Sequence, residues 1–203
     1  MPAFLTERLS PPIPQNPPRK RWTRAECDAV EAAGIFDLEQ IELIEGELID
    51  KMGKNRPHVD AAALLIGWLI RIFGARFVNV EAPIDVAPED NPTNQPQPDL
   101  IVLNRQYSGF RSAIPQPKDL DLVVEIADSS IGFDLTVKAA LYARAGIVEY
   151  WVLDLAGHRL IVHRNPQGGR YESVSSYDEN ETLAPLSASP DSPFEIGEVF
   201  PKG

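Results

Sequence analysis

The sequence predicts an α/β (α+β) chain: a parallel strand pair joined through a helix and continued by an antiparallel C-terminal meander. Three observations predict it. Residues 120–155, LDLVVEIADSSIGFDLTVKAALYARAGIVEYWVLDL, read in succession as strand, helix and strand, and a helical crossover of this kind joins parallel neighbours. Beyond them, Arg159–Arg164 and Tyr171–Val174 are strand-like runs separated by Gly168-Gly169, as expected of antiparallel partners. Ahead of them, residues 58–74 form a long apolar helix.

The elements follow in chain order. Pro2, Pro11, Pro12, Pro14, Pro17 and Pro18 make residues 1–18 a flexible arm, with residues 19–203 as a single domain. Arg19, Lys20, Arg21 and Arg24 beside Trp22 are either a solvated junction or a phosphate-contacting arm. Thr23 and Glu26 form a capping box that opens a helix ending near Gly34. In Ile41–Ile49, two short strands flank a tight turn at Glu45-Gly46, and Glu47 falls just after it. The basic loop 53–58 leads into the apolar helix, where Pro57 suits the first turn. Ala61, Leu64, Leu65, Trp68, Leu69 and Ile72 supply that helix's core stripe.

Phe77–Val80 and Ile84–Val86 read as strands separated by Pro83. A proline-rich loop, 88–98, delivers Asp99 to the mouth of a strand over Leu100–Leu103. The strand Leu120–Ala127 alternates in character, yet Glu125 stands between Val124 and Ile126 in its most apolar part. A carboxylate there is costly to bury unless a cation or hydrogen bonds receive it. The following helix, about 134–145, is almost wholly apolar except for Lys138, and Gly146 stops it. Glu149–Leu155 is the second strand. His158 and His163 have no partners at metal-ligand spacing and read as structural or exposed, and Phe194–Phe200 adds a short strand or docking segment.

Composition narrows the function. With 30 acidic and 19 basic residues the formal net charge is −11, which disfavours strong non-specific attraction to nucleic acid. The single cysteine, Cys27, allows no intrachain disulfide and fits a reducing compartment. No signal peptide is evident, and the apolar stretch 61–73 is too short to span a bilayer, so a cytoplasmic protein without membrane attachment is expected.

Asp99, Glu125 and Lys138 are three charges in positions that charges avoid. Adjacent strands can aim both carboxylates at one point, and the helix crossing the sheet can aim the lysine there too. Hard oxygen ligands suit Mg²⁺ or Mn²⁺. Such an ion lowers the pKa of a bound water and offsets charge growing on a phosphodiester. A lysine beside it can orient or deprotonate the water, or steady the developing charge.

Pro98-Asp99, then Glu125-Ile126-Ala127, then Lys138 resembles the PD-(D/E)XK nuclease superfamily. The longer text ELIEGELI, His58 opening a helix, PDLIVL, LVVEIADSS and DLTVKAALYARAGIVEYWVLD resembles the Uma family of restriction-endonuclease-like proteins, branch two, over about residues 22–165. The resemblance implies a restriction-endonuclease-like mixed β-sheet flanked by helices. It implies metal held by Asp99, Glu125 and the Ile126 carbonyl, with Glu47 a further acidic member. The superfamily lysine stands two residues after the glutamate, where this chain has Ala127; the resemblance implies that Lys138 replaces it from the helix. His58 matches a family position, either as a phosphate or metal-water contact or as a helix cap.

The leading expectation is therefore a metal-dependent endonuclease acting on DNA, with Lys54, Arg56, Arg105 and Arg111 available to phosphates, and a homodimer by analogy with restriction enzymes. The alternative is a nuclease-fold binding or scaffold protein without turnover. A third reading is hydrolysis of a small phosphate-bearing substrate. No separate DNA-reading module is evident.

Overall fold

The computed structural model describes residues 19–35, 41–51, 55–110 and 113–200. The proline-rich arm expected over 1–18 lies outside them, as do Lys54 and Arg111.

Helix α1, Arg24–Ala32, begins at the expected capping box, in which the Thr23 side chain accepts from the Glu26 N–H and Glu26 accepts from the Thr23 N–H. Strands β1 (Ile41–Ile44) and β2 (Glu47–Asp50) form the antiparallel hairpin. Its turn holds Glu45 at φ 51° and Gly46 at φ 74°, the double positive φ of a type I′ turn. Asn94 Oδ1 accepts from the Glu45 N–H at 2.7 Å and so ties the turn down. Helix α2, Arg56–Phe73, is capped by Asn55, whose side chain accepts from the His58 N–H.

A six-stranded mixed sheet follows: β3 (Val78–Val80), β4 (Leu100–Leu103), β5 (Leu120–Ala127), β6 (Glu149–Asp154), β7 (Arg159–Gln167) and β8 (Arg170–Asp178), in that spatial order. Only β5 and β6 pair in parallel. Their connection is one continuous helix, α3: an α-turn Ile131–Phe133, a π-helical segment Asp134–Lys138 and an α-helical segment Ala139–Arg144. Two short strands, β9 (Thr182–Leu183) and β10 (Phe194–Glu195), pair near the C-terminus.

Period-two alternation gives the sheet two apolar faces. On one, Leu100, Val124 and Trp151 pack with α2 through Leu65, Trp68 and Leu69. On the other, Ile101, Val123 and Val152 pack with α3 through Leu141 and Tyr142 and with Ile44 of the hairpin. No helix among the described residues is long and apolar enough to cross a membrane.

Two expectations fail here. Ile84–Val86 is buried but is not a strand. Its N–H groups bond instead to loop acceptors, as in Ile84 N–H to Pro96 C=O at 3.0 Å and Asp85 N–H to Pro115 C=O at 2.8 Å. Leu64, expected in the core stripe, is exposed, because it lies on the flank of α2 that carries Asp60 and Arg71, away from the Ala61, Leu65, Trp68 and Leu69 face that the sheet covers.

Candidate active site

Asp99 immediately precedes β4, whose first residue, Leu100, pairs with Val124, the neighbour of Glu125 in β5. Glu125 faces α3, while Asp99, just before β4, meets the start of α2, so the two carboxylates line one cleft from neighbouring chain segments. Asp99 Oδ2 accepts from the Ile126 N–H at 2.8 Å, while its Oδ1 lies 3.3 Å from His58 Nε2. His58 arrives from the first turn of α2, and its Nδ1 is buried with no hydrogen-bond partner.

Glu125 is buried, and Oε1 takes both Lys138 Nζ at 3.0 Å and the Tyr142 hydroxyl at 2.9 Å. The π-segment makes this possible. Four residues overshoot an α-turn but fall short of the wider π-turn, so Asp134, Lys138 and Tyr142 stay in one row facing the strand. The Ala139 N–H reaches back to the Asp134 carbonyl to close that wider turn.

Lys138 Nζ also lies 2.7 Å from Glu42 Oε1 and 3.8 Å from Asp134 Oδ1, all within the buried interior. Glu42 comes from β1, and the hairpin is held in place by Gln95 N–H to Leu43 C=O at 2.7 Å and Gln97 N–H to Glu42 Oε2 at 3.2 Å. The Ser130 hydroxyl donates to Asp134 Oδ2 at 2.5 Å.

Burial strongly pushes the Glu125 carboxyl up, with Lys138 pulling it down and Asp134, Glu42 and Asp99 adding to the rise. Asp134 is also raised, chiefly by burial. For Lys138 burial acts downward, but Glu125, Glu42 and Asp134 outweigh it and hold the ammonium above its ordinary range. The three carboxylates thus favour the charged form of Lys138.

These groups line a cleft of about 530 Å³, whose mouth also carries Asp50, Lys51, Asn55 and Asp128. Asn55 Nδ2 donates to Asp128 Oδ2 at 2.5 Å and joins the start of α2 to the loop after β5.

Among the described residues, no three His, Cys, Asp or Glu side chains converge as a full ligand set. Mg²⁺ and Mn²⁺ need less from the protein, because they keep waters beside one or two carboxylates. Asp99, Glu125 and the Ile126 carbonyl are hard oxygen donors at the cleft wall. Three carboxylates, of Glu42, Glu125 and Asp134, stand around one ammonium, and a fourth, of Asp99, lies beside His58 in the same cleft. That excess of negative charge and the donor chemistry both fit a divalent cation.

The sequence-based candidates divide. Asp99, Glu125, Ile126, Lys138 and His58 are brought together in the cleft. Glu47 is not: its side chain pairs with Arg21 at 3.4 Å and Arg19 at 4.0 Å, at the turn end of the hairpin. Glu42 takes the place expected of it. Arg56 is exposed and pairs with Asp60 at 2.9 Å, while Arg105 pairs with Asp119 at 3.2 Å and lies over the Phe110 ring. Lys54 and Arg111 lie outside the described residues. Tyr142, Asp134 and Glu42 were not singled out. A carboxylate between apolar neighbours, Ile41 and Leu43, was a legible signal for Glu42.

The comparisons with known proteins agree with this architecture. A family model, Uma2, described as "Putative restriction endonuclease", matches residues 29–192. A crystal structure of a "putative nuclease belonging to DUF820" from Anabaena variabilis is similar in fold, with a TM-score of 0.62 and 19% identity over 84% of this chain and 95% of that one. At that identity the likeness concerns the fold alone. No curated protein matches the chain.

Proposed function

The chain belongs to the Uma2 family of putative restriction endonucleases, and from that premise we propose that it is a divalent-metal-dependent endonuclease hydrolysing phosphodiester bonds in DNA. One observation carries the reading: Asp99, bonded to the Ile126 N–H, and Glu125 line one cleft, with the Lys138 ammonium 3.0 Å from Glu125.

Asp99, Glu125 and the Ile126 carbonyl would hold Mg²⁺ or Mn²⁺. When bound, the ion lowers the pKa of a water and offsets charge developing on the phosphate. Tyr142 fixes Glu125 by donating to Oε1. Lys138, whose charged form its carboxylate neighbours favour, steadies negative charge developing at the phosphate. His58 orients Asp99 through Nε2. Arg56, and Lys54 two residues before it in the sequence, would contact the DNA backbone. The enzyme works as a homodimer.

The second reading, a catalytically idle scaffold, draws on one specific observation: Lys138 is engaged by Glu42, Glu125 and Asp134 together. Mn²⁺ titration combined with plasmid cleavage separates the two. A nuclease binds Mn²⁺ and loses that binding on Asp99→Asn or Glu125→Gln; a scaffold neither binds the ion there nor cuts.

A further inference from the structure

The charged groups of the cleft lie below its surface. Glu125 is 4% exposed and Lys138 5%, and both line the cleft of about 530 Å³. Its exposed rim includes Asp50, Asn55, Asp128 and Ser129. Along that rim the hydrogen bond from Asn55 to Asp128 joins the start of α2 to the loop after β5. A phosphate therefore has to pass the rim before it meets the Lys138 ammonium. A strand held in a duplex is kept on the surface of a rod by its partner, whereas an unpaired strand can bend inward.

Charge points the same way. The side chains lining the cleft include six carboxylates but, among the described residues, only the ammonium groups of Lys51 and Lys138. Duplex binding without sequence preference draws on several cations set against phosphates. Here Asp50 and Asp128 stand on the rim instead and repel the phosphates of a second strand.

The cleft also holds apolar surface that an unpaired base can use. Ile49 and Phe133 line it, each partly buried against the core on the α3 side of the sheet. Ile49 stands opposite Glu42 in the hairpin, and Phe133 directly precedes Asp134. The contacts of Lys138 with Glu42 and Asp134 thus gather both apolar side chains into the cleft that holds the ammonium. A base inside a duplex stacks on its neighbours, whereas an unpaired base can stack on an aromatic ring.

We propose that the cleft takes an unpaired DNA strand, one nucleotide of which stacks its base on Phe133 while a phosphate reaches Lys138. This substrate class rests on the metal-dependent nuclease reading. The volume agrees with it: clefts of about 300–1,000 Å³ enclose small ligands, the size class of one nucleotide and not of a duplex. Supercoiled plasmid remains a substrate, because negative supercoiling favours strand separation.

Mn²⁺-dependent cleavage of end-labelled oligothymidine and of a blunt linear duplex tests it, beside fluorescence anisotropy of both. Wild type, Phe133→Leu and Phe133→Tyr are compared, with circular dichroism confirming each fold. The expected result is a clear preference for the single strand in both cleavage and binding. Phe133→Leu keeps an apolar side chain without the ring, so KM and Kd for the single strand rise about tenfold. Its kcat changes little, because stacking of this kind is uniform binding, and Phe133→Tyr restores both constants. A linear duplex cut as fast as the single strand overturns the inference and leaves the nuclease reading standing. Single-strand cleavage indifferent to Phe133→Leu overturns it equally. If neither nucleic acid is cut, the nuclease reading falls and anisotropy decides. Single-strand binding that Phe133→Leu weakens then supports the inference, and binding of both forms alike, or of neither, overturns it.

Discussion

The shortest ion pair made by Lys138 is with Glu42, at 2.7 Å, and not with Glu125 of β5, at 3.0 Å. A residue of the small hairpin therefore holds the ammonium in the cleft. Glu42→Ala should lower the cleavage rate about tenfold to a hundredfold, roughly 1.4–2.7 kcal/mol of activation free energy, with little change in KM. Its effect on stability should be small, because the cluster loses one of its excess negative charges. Steady-state kinetics beside urea unfolding would show this split.

Lys138→Ala should behave in the opposite way for stability. It leaves Glu42, Glu125 and Asp134 buried without their cation, and breaking such a buried set costs about 3–5 kcal/mol. The urea midpoint measures that loss.

Tyr142→Phe removes a single donor from Glu125 Oε1 and keeps the edge-on ring contact with Tyr150, whose centroid is 4.9 Å away. A hydrogen bond to a charged group is worth about 1.5–3 kcal/mol, so unfolding should register a loss of that size. Mn²⁺ affinity should fall with it, because Glu125 is no longer held in place.

Much of this site was legible in the sequence, and the misses have physical causes. The strands carrying Asp99 and Glu125 and the helix carrying Lys138 follow from alternation and from glycine and proline punctuation. The hairpin was legible too, but Glu42, Ile44, Glu47 and Ile49 share one face by the pairing Glu42↔Ile49 and Ile44↔Glu47. Face alone does not separate the two glutamates. Only the docking of the hairpin on the loop before Asp99, through bonds such as Gln97 N–H to Glu42, brings Glu42 to Lys138 and leaves Glu47 to Arg21. The π-segment has no signature in its residues; it is visible only as the Ala139 to Asp134 bond. Ile84–Val86 reads apolar like a strand, yet prolines at 83 and 88 and loop acceptors take it out of the sheet.

A pH effect is expected away from the cleft. His163 is buried between Tyr150 and Tyr171, with Nδ1 unpartnered, and burial pushes its imidazole below the ordinary value, with the Tyr150 backbone partly opposing. The unfolded chain takes up this proton near its ordinary pKa of about 6.5, while the folded chain resists until lower pH. The depressed folded pKa means this stability is present above that value and lost as the pH falls toward the folded pKa. Urea unfolding of His163→Phe between pH 7 and pH 5 should show a shallower loss than the wild type.

A second buried pair anchors the C-terminal segment. Glu149 accepts from Arg164 Nε at 2.8 Å, from Trp151 Nε1 at 3.0 Å and from the Leu186 N–H at 2.6 Å, and Arg164 also donates to the Ala184 carbonyl. Arg164→Ala should cost about 3 kcal/mol, at the lower end for a broken buried pair because Arg164 retains some exposure. Hydrogen exchange around Ala184–Leu186 should quicken in the variant.

Cleavage of supercoiled plasmid with Mn²⁺ or Mg²⁺, comparing wild type, Glu125→Ala and Lys138→Ala, tests the central claim most directly. The site described here predicts metal-dependent nicking that both substitutions abolish while circular dichroism shows the fold retained. Cutting that survives Glu125→Ala, or a wild type that binds Mn²⁺ through Asp99 and Glu125 yet cuts no nucleic acid, would contradict it.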